Sequence, residues 1–310
     1  MTASHDKLQD AVTNRRFSAV IFDLDGTLID SETTACHVLN ELVKKYAKEQ
    51  QETATSAVEE ASNTNSAERQ NSTLTSGPTQ TFWSKADHYR ILGQKGDRWA
   101  PQLLQKVGIS EEKVSWTRVV KDWEIMMGSV FAVQEKLPVG DELDEVTTKA
   151  AASETKDETS SAKTSFQPQI PGILPGAAEL VDVLKKKSIP LAIATSSSAN
   201  SVGKKKKFYH DAIFSKIDLV VTGDEVTKGK PDPEHYLKTA EKLGFPAREC
   251  LVFEDSALGC LAAKRAGCFV VAVPDPATPS DFVAANFEAD LVLGSKGLLE
   301  FEVEEFFYRV

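Results

Sequence analysis

Asp23 and Asp25 stand two apart, directly after the apolar run AVIF (19–22). Three further polar sites follow apolar runs in the same way. Thr195 and Ser196 come after LAIA (191–194), Lys230 lies in TKGKPDP beyond DLVVT (218–222), and Glu254 and Asp255 come after CLVF (250–253). Carboxylates gathered out of bulk water repel one another and need a counter-charge. A hard divalent cation supplies it, and magnesium in particular takes one or two carboxylates plus water and phosphate oxygens. Asp23, Asp25, Glu254 and Asp255 are therefore candidate metal ligands. Lys230 and the Thr195 hydroxyl suit a phosphate, one giving charge and the other a hydrogen-bond donor. An Asp beside a metal can attack phosphorus and form an aspartyl-phosphate. A second Asp can protonate the leaving oxygen and later take a proton from water. Each signal is weak alone. A DxD occurs in many turns, ATSSS suits a turn or a helix N-cap, Glu-Asp suits a cap, and a single lysine suits a solvated surface. Their specificity lies in their order and in their shared position at strand ends.

The elements that must position these residues are legible from about residue 170 onward. PGAAELVDVLKKKSIP sets Ala177, Leu180, Val181 and Leu184 on one helical face, with a basic last turn and a following Pro as stop signals. Short apolar strands are expected at 191–194, 218–222, 250–253, 269–273 and 290–293. Between them, DPEHYLKTAEKLG reads as a helix with Asp232 as N-cap, Pro233 at the first helical position and Gly244 at the end. DSALGCLAAKRAG reads as a second helix closed by Gly267. Strand and helix alternate with short turns, which predicts an α/β fold, a doubly wound parallel sheet covered on both faces. In such a sheet ligands bind outside the carboxyl ends of the strands, where all four polar sites would converge.

The remainder is different in kind. Residues 82–131 carry all four tryptophans, and Leu103, Leu104 and Val107, then Trp116, Val119, Val120 and Trp123, recur at helical spacing. This predicts a small helical unit with the tryptophans as core. Residues 47–81 and 139–165 are rich in Ser, Thr, Ala and Glu and read as disordered insertions. The Lys204–Lys207 run reads as a solvated helix face rather than an anion site. Cys36, Cys250, Cys260 and Cys268 form no CxxC pair and read as free thiols in a reducing compartment. The net charge of -10 argues against a nucleic-acid partner. No run approaches membrane-spanning length and the first residues lack a signal-peptide core, so a soluble, cytoplasmic protein without a membrane partner is expected, with a monomer as the default that no residue pattern decides.

The ordered set resembles the haloacid dehalogenase (HAD) superfamily of phosphohydrolases: FDLDGTL, LAIATSS, KGKPDPEHY and LVFEDSALG are similar to its first to fourth motifs. The stretch from SSSANS to KLG looks most like the branch holding pseudouridine-5'-phosphatases, glycerol-phosphate phosphatases and FMN hydrolases. The resemblance implies a HAD-like Rossmannoid core at 15–32 and 169–310, and an inserted α-helical cap at 33–168. It implies Asp23 as nucleophile, Asp25 as general acid/base with its backbone carbonyl on the metal, and Thr195 with its neighbours, Ser196 included, on the phosphoryl group. Lys230 would offset charge, Asp23 and Asp255 would hold Mg2+, and Glu254 would assist directly or through water. Within the cap, ILGQKG (91–96) sits where related caps carry a substrate-facing turn, so Gln94 and Lys95 are specificity candidates, the alternative for Lys95 being an exposed surface lysine. The expected activity is magnesium-dependent hydrolysis of a small phosphorylated metabolite. A sugar-phosphate mutase and a non-catalytic phosphate-binding module are the alternatives.

Overall fold

The computed structural model describes residues 17–62, 83–132 and 170–307. In chain order the elements are β1 (Ala19–Phe22), α1 (Glu32–Ser62), α2 (Lys85–Ile91), α3 (Gly96–Lys106), α4 (Trp116–Ala132), α5 (Ala177–Lys186), β2 (Leu191–Ala194), α6 (Ala199–Phe208) and β3 (Leu219–Val221). They continue with α7 (Glu234–Leu243), β4 (Cys250–Glu254), α8 (Ala257–Ala266), β5 (Phe269–Ala272), α9 (Ser280–Asn286), β6 (Leu291–Val292) and α10 (Val303–Phe307). The strands form one six-stranded sheet in the order β3-β2-β1-β4-β5-β6. Every pairing is parallel, and Val20 of β1 stands opposite Leu191 of β2 and Leu251 of β4. This order reverses at β1, so the crevice at the carboxyl end of β1 is the place where such a sheet accepts a ligand.

Both faces of the sheet are buried, as the unbroken apolar strands require. Val20, Phe22, Leu191, Ile193, Phe253 and Val271 point into one hydrophobic cluster with Leu180, Val181 and Leu184 of α5. Ala19, Ile21, Ala192, Ala194, Val252 and Ala272 point the other way, against Tyr236 and Ala240 of α7 and Ala262 and Ala263 of α8. The small residues on that face let the two helices lie close to the strands. α7 and α8 each end on a glycine in the left-handed region, Gly244 and Gly267, both at φ 87°. Three strands are shorter than expected. At β3 the cause is visible: Asp218 turns its carboxylate to the Leu191 N–H at 2.9 Å, and Thr222 opens a capping box with Glu225. α7 begins at Glu234 rather than at Pro233, while Asp232 still accepts the Glu234 N–H at 3.1 Å.

A second hydrophobic cluster belongs to the helices that follow β1. Leu39, Leu42 and Tyr46 of α1 meet Trp99, Leu103 and Leu104 of α3 and Val119 and Met127 of α4. Trp83 joins them, and Asn40 fixes it by donating to its carbonyl at 3.1 Å and accepting its N–H at 3.0 Å. These helices form a cap over the sheet's carboxyl edge. The stretch from residue 47 does not begin as disorder: α1 continues to Ser62. Its Ala, Glu, Gln and Lys content favours helix, and extending an anchored helix needs no new nucleus. Arg118 of α4 also holds Glu49 through two 2.9 Å contacts. Residues 63–81 and 139–165 of the expected insertions lie outside the described residues. Among the described residues no helix is long and apolar enough to cross a membrane, and the four cysteines are free thiols.

Candidate active site

The loop after β1 turns sharply at Gly26, whose φ is 82°. A Cβ there would overlap the Asp255 carboxylate, so glycine is required both for the turn and for the approach of the loop after β4. Asp23 is anchored by its N–H to the Phe253 carbonyl at 2.9 Å, and its Oδ1 accepts from Lys230 Nζ at 2.5 Å. Lys230 is 3% exposed and also donates to Glu254, with its ammonium 5.3 Å from the Tyr236 ring centre. Asp255 accepts from Thr27 Oγ1 at 2.8 Å. Thr195 is buried, its N–H bonded to the Val221 carbonyl at 3.0 Å and its Oγ1 accepting the Ser197 N–H at 3.1 Å. That leaves the Thr195 hydroxyl proton for another acceptor.

The four expected metal carboxylates do not assemble as one side-chain cage. Among the described residues no cluster of three or more His, Cys, Asp or Glu side chains is disposed to hold a metal ion. Glu254 is consumed by the protein: Oε1 takes Lys230 and the Tyr236 hydroxyl (3.0 Å), and Oε2 takes the Ser256 N–H (2.7 Å) and hydroxyl (2.9 Å). The Asp25 carboxylate is also engaged. Lys205 Nζ lies 2.5 Å from both of its oxygens, Ser197 donates at 2.7 Å and Ser31 at 2.8 Å. The side-chain set thus narrows to Asp23 and Asp255. A pair of carboxylates fits magnesium, which completes its shell with water and phosphate oxygen.

The electrostatics support a cation there. Burial raises the Asp23 carboxyl, Lys230 opposes that, and repulsion from Glu254 and Asp25 leaves it at about 7. Burial also pushes Asp255 well above the usual carboxylate range, with Glu254, Asp23 and Glu32 adding to the rise and only Thr27 opposing it. Lys230 alone does not balance this charge. Burial would raise Asp25 as well, but the Lys205 charge and the hydrogen bonds from Lys205, Ser197 and Ser31 outweigh it and hold Asp25 below its ordinary value. Lys230 is itself pushed up, because Asp23 and Glu254 overcome the burial that would lower it.

Two expected substrate contacts make hydrogen bonds within the protein. The Ser196 hydroxyl donates to the Gly93 carbonyl at 2.9 Å, tying the turn after β2 to the cap loop. Lys95 is not a free surface lysine: its Nζ donates to the Val226 carbonyl at 2.9 Å. Both residues line a cavity of about 500 Å³ between sheet edge and cap, whose floor carries Asp23, Asp25, Thr195 and Asp255. Trp99, Trp116 and Trp123 line the same cavity, so tryptophans read as core also face a ligand space. Lys205 is the residue that sequence reasoning missed. It is 2% exposed, not solvated. The signal was one turn away: Val202 is buried three residues earlier on the same helix face, and Ser198 caps the helix by accepting the Ser201 N–H.

A family profile described as haloacid dehalogenase-like hydrolase matches residues 17–267. The (DL)-glycerol-3-phosphatase 1, mitochondrial, of Arabidopsis thaliana is 37% identical over 293 residues, covering 92% of this chain and 72% of that protein. The bifunctional riboflavin kinase/FMN phosphatase of Arabidopsis thaliana is 42% identical over 101 residues, 33% of this chain and 26% of that protein. For several other curated relatives the chain spans about half of their length. The β-phosphoglucomutase of Clostridium difficile has the same fold, with a TM-score of 0.59 at 20% identity, covering 94% of this chain and 97% of that one. The parallel sheet, the cap and the profile match agree: the chain belongs to the haloacid dehalogenase-like hydrolases.

Proposed function

We propose that this chain is a magnesium-dependent phosphatase that hydrolyses a small phosphomonoester through an aspartyl-phosphate on Asp23. One observation carries the reading. Asp23 Oδ1 is held by Lys230, while Oδ2 makes no hydrogen bond among the described residues and Asp23 lines the cavity. A carboxylate oriented through one oxygen and open at the other is suited to nucleophilic attack. Relatives named as glycerol-3-phosphatase and FMN phosphatase support the class of reaction.

Asp23 Oδ2 attacks phosphorus, and the bond from phosphorus to the ester oxygen breaks. The leaving oxygen takes a proton from Asp25, which must first be freed from Lys205 and protonated. Water then attacks the phosphorus of the aspartyl-phosphate. It gives a proton to Asp25 and releases inorganic phosphate, which restores the Asp23 carboxylate. Thr195 and Lys230 donate to the phosphoryl oxygens and offset their charge. Asp23, Asp255 and the Asp25 backbone carbonyl would hold magnesium, which when bound would supply further charge neutralisation to those oxygens. Glu254 acts as a positioning residue for Lys230.

The test is release of free phosphate from a panel of phosphomonoesters, with magnesium and with chelator. Release into water, lost on chelation and reduced at least ~10³-fold in Asp23→Asn, is the expected result. Turnover retained by Asp23→Asn refutes the covalent step. Transfer back to the sugar without free phosphate means a mutase instead.

A further inference from the structure

The cavity above Asp23 has a wall that the hydrolysis of a phosphate group alone does not explain. Among the contacts that dock the cap on the core are Ser196 Oγ to the Gly93 carbonyl at 2.9 Å, Lys95 Nζ to the Val226 carbonyl at 2.9 Å, and Ser198 Oγ to Glu124 at 3.0 Å. The 500 Å³ volume therefore belongs to the docked arrangement, in which it remains partly open to solvent. At about 30 Å³ per water it has room for roughly seventeen waters, while glycerol phosphate has only about ten non-hydrogen atoms.

The cap side of this space carries an aromatic patch beside the polar Gln94, Asp97 and Glu124. Trp99, Trp116, Trp123 and Met127 line it, and the Trp99 and Trp123 ring centres are 5.7 Å apart at 62°. Hydroxyl groups of a polyol would lose water hydrogen bonds against such a wall, whereas a flat ring gains contact area and stacking. Lys95 is the cap's cation in the lining, and its ammonium is already bound to Val226. A second anionic group on the substrate therefore finds no free cation from the cap among the described lining residues. Polar anchors remain. His88 Nε2 lies 2.5 Å from Glu32, and both residues line the cavity.

We infer that the substrate is a phosphomonoester whose organic part carries a planar aromatic heterocycle of nucleobase to flavin size, held against the tryptophan wall of the cap. The inference rests on the phosphatase reading for the phosphate end and on the cap for the organic end. The experiment measures kcat/KM with magnesium for FMN, uridine 5'-monophosphate and glycerol 3-phosphate, in the parent protein and in Trp116→Leu and Trp123→Leu. One or both aromatic esters should exceed glycerol 3-phosphate at least about ten-fold, and either tryptophan variant should reduce that preference about ten-fold, mainly through KM. General unfolding would instead lower all three substrates together. Turnover of glycerol 3-phosphate in preference to both aromatic esters overturns the inference and leaves the phosphatase reading standing. No release from any ester refutes the phosphatase reading. In that case a saturable quench of tryptophan fluorescence by FMN, weakened in Trp116→Leu, sustains the inference, and no quench overturns it.

Discussion

Replacing Lys230 with Met tests the charge balance of the site. Lys230 is buried with Asp23 and Glu254 as its partners, and the substitution keeps most of its length while removing its charge. Glu254 retains Tyr236 and Ser256, so the loss falls mainly on Asp23. Removing one member of a buried ion pair costs about 3–5 kcal/mol. At ~2–4 °C per kcal/mol this lowers Tm by roughly 6–20 °C. The pH dependence gives the sign. Asp23 in the folded parent is raised from 3.8 to about 7. The folded state therefore binds more protons than the unfolded state between these values, and stability declines as pH rises across them, by on the order of 4 kcal/mol. Without Lys230 the folded value rises further, so the variant loses more than the parent between pH 5 and pH 8. Thermal or urea melts of both proteins in chelator should show a gap at least ~2 kcal/mol wider at pH 8 than at pH 5. An equal gap at both values refutes the claim that Lys230 acts as the counter-charge of an ionised Asp23.

Lys205→Met should behave differently in pH. Asp25 is held below its ordinary value, so the stability from this pair is present above pH 3.8 and is lost only as pH falls through the folded value. Without Lys205 burial is left to raise Asp25, so the variant should be destabilised by ~2–4 kcal/mol at pH 8, with the deficit shrinking as pH falls and continuing to shrink below about pH 4 in melts. His235 is fully buried and burial, aided by the Lys230 charge, pushes it down to about 4. The unfolded state then binds the extra proton between pH 6.5 and 4, so stability falls as pH falls through that window, by ~3 kcal/mol. His235→Phe should flatten this acid limb in urea titrations. Gly26→Ala forces a side chain onto the Asp255 carboxylate at a positive φ, and should cost ~3 kcal/mol or more with weaker magnesium binding by calorimetry.

Strand-end carboxylates were readable because each follows an apolar run that had to be a buried parallel strand. The register confirms why they converge, since β1 lies between β2 and β4. The partners of those carboxylates were not readable. Whether Glu254 faces a metal or a lysine depends on the rotamer chosen between Tyr236 and Ser256, which no local pattern encodes. Lys205 looked like one of four solvated lysines because charge runs hide helix phase, and only its pairing with Asp25 explains its burial. The start of the long low-complexity stretch failed for a related reason. Low hydrophobicity predicts a poor core, but a helix already anchored by Leu39, Leu42 and Tyr46 can run on without one. Lys95 was found by its position in a cap turn, but its bridge to the Val226 carbonyl, across 131 residues, had no local signal.

The place of β1 in the sheet has a consequence for biosynthesis. Among the described strands it is the first made, and both of its neighbours come from the second half of the chain. The bond that orients Asp23 joins residues 207 apart, and the one that holds Asp255 joins residues 228 apart. On the ribosome β1 must wait with two unpaired edges while the cap helices, whose contacts are more local, can already fold. Non-local pairing of this kind is slow, and exposed edges recruit other chains. Most of the intervening delay is therefore a period of aggregation risk, and the lifetime of that nascent state, more than the stability of the finished fold, should govern how well cells produce this protein.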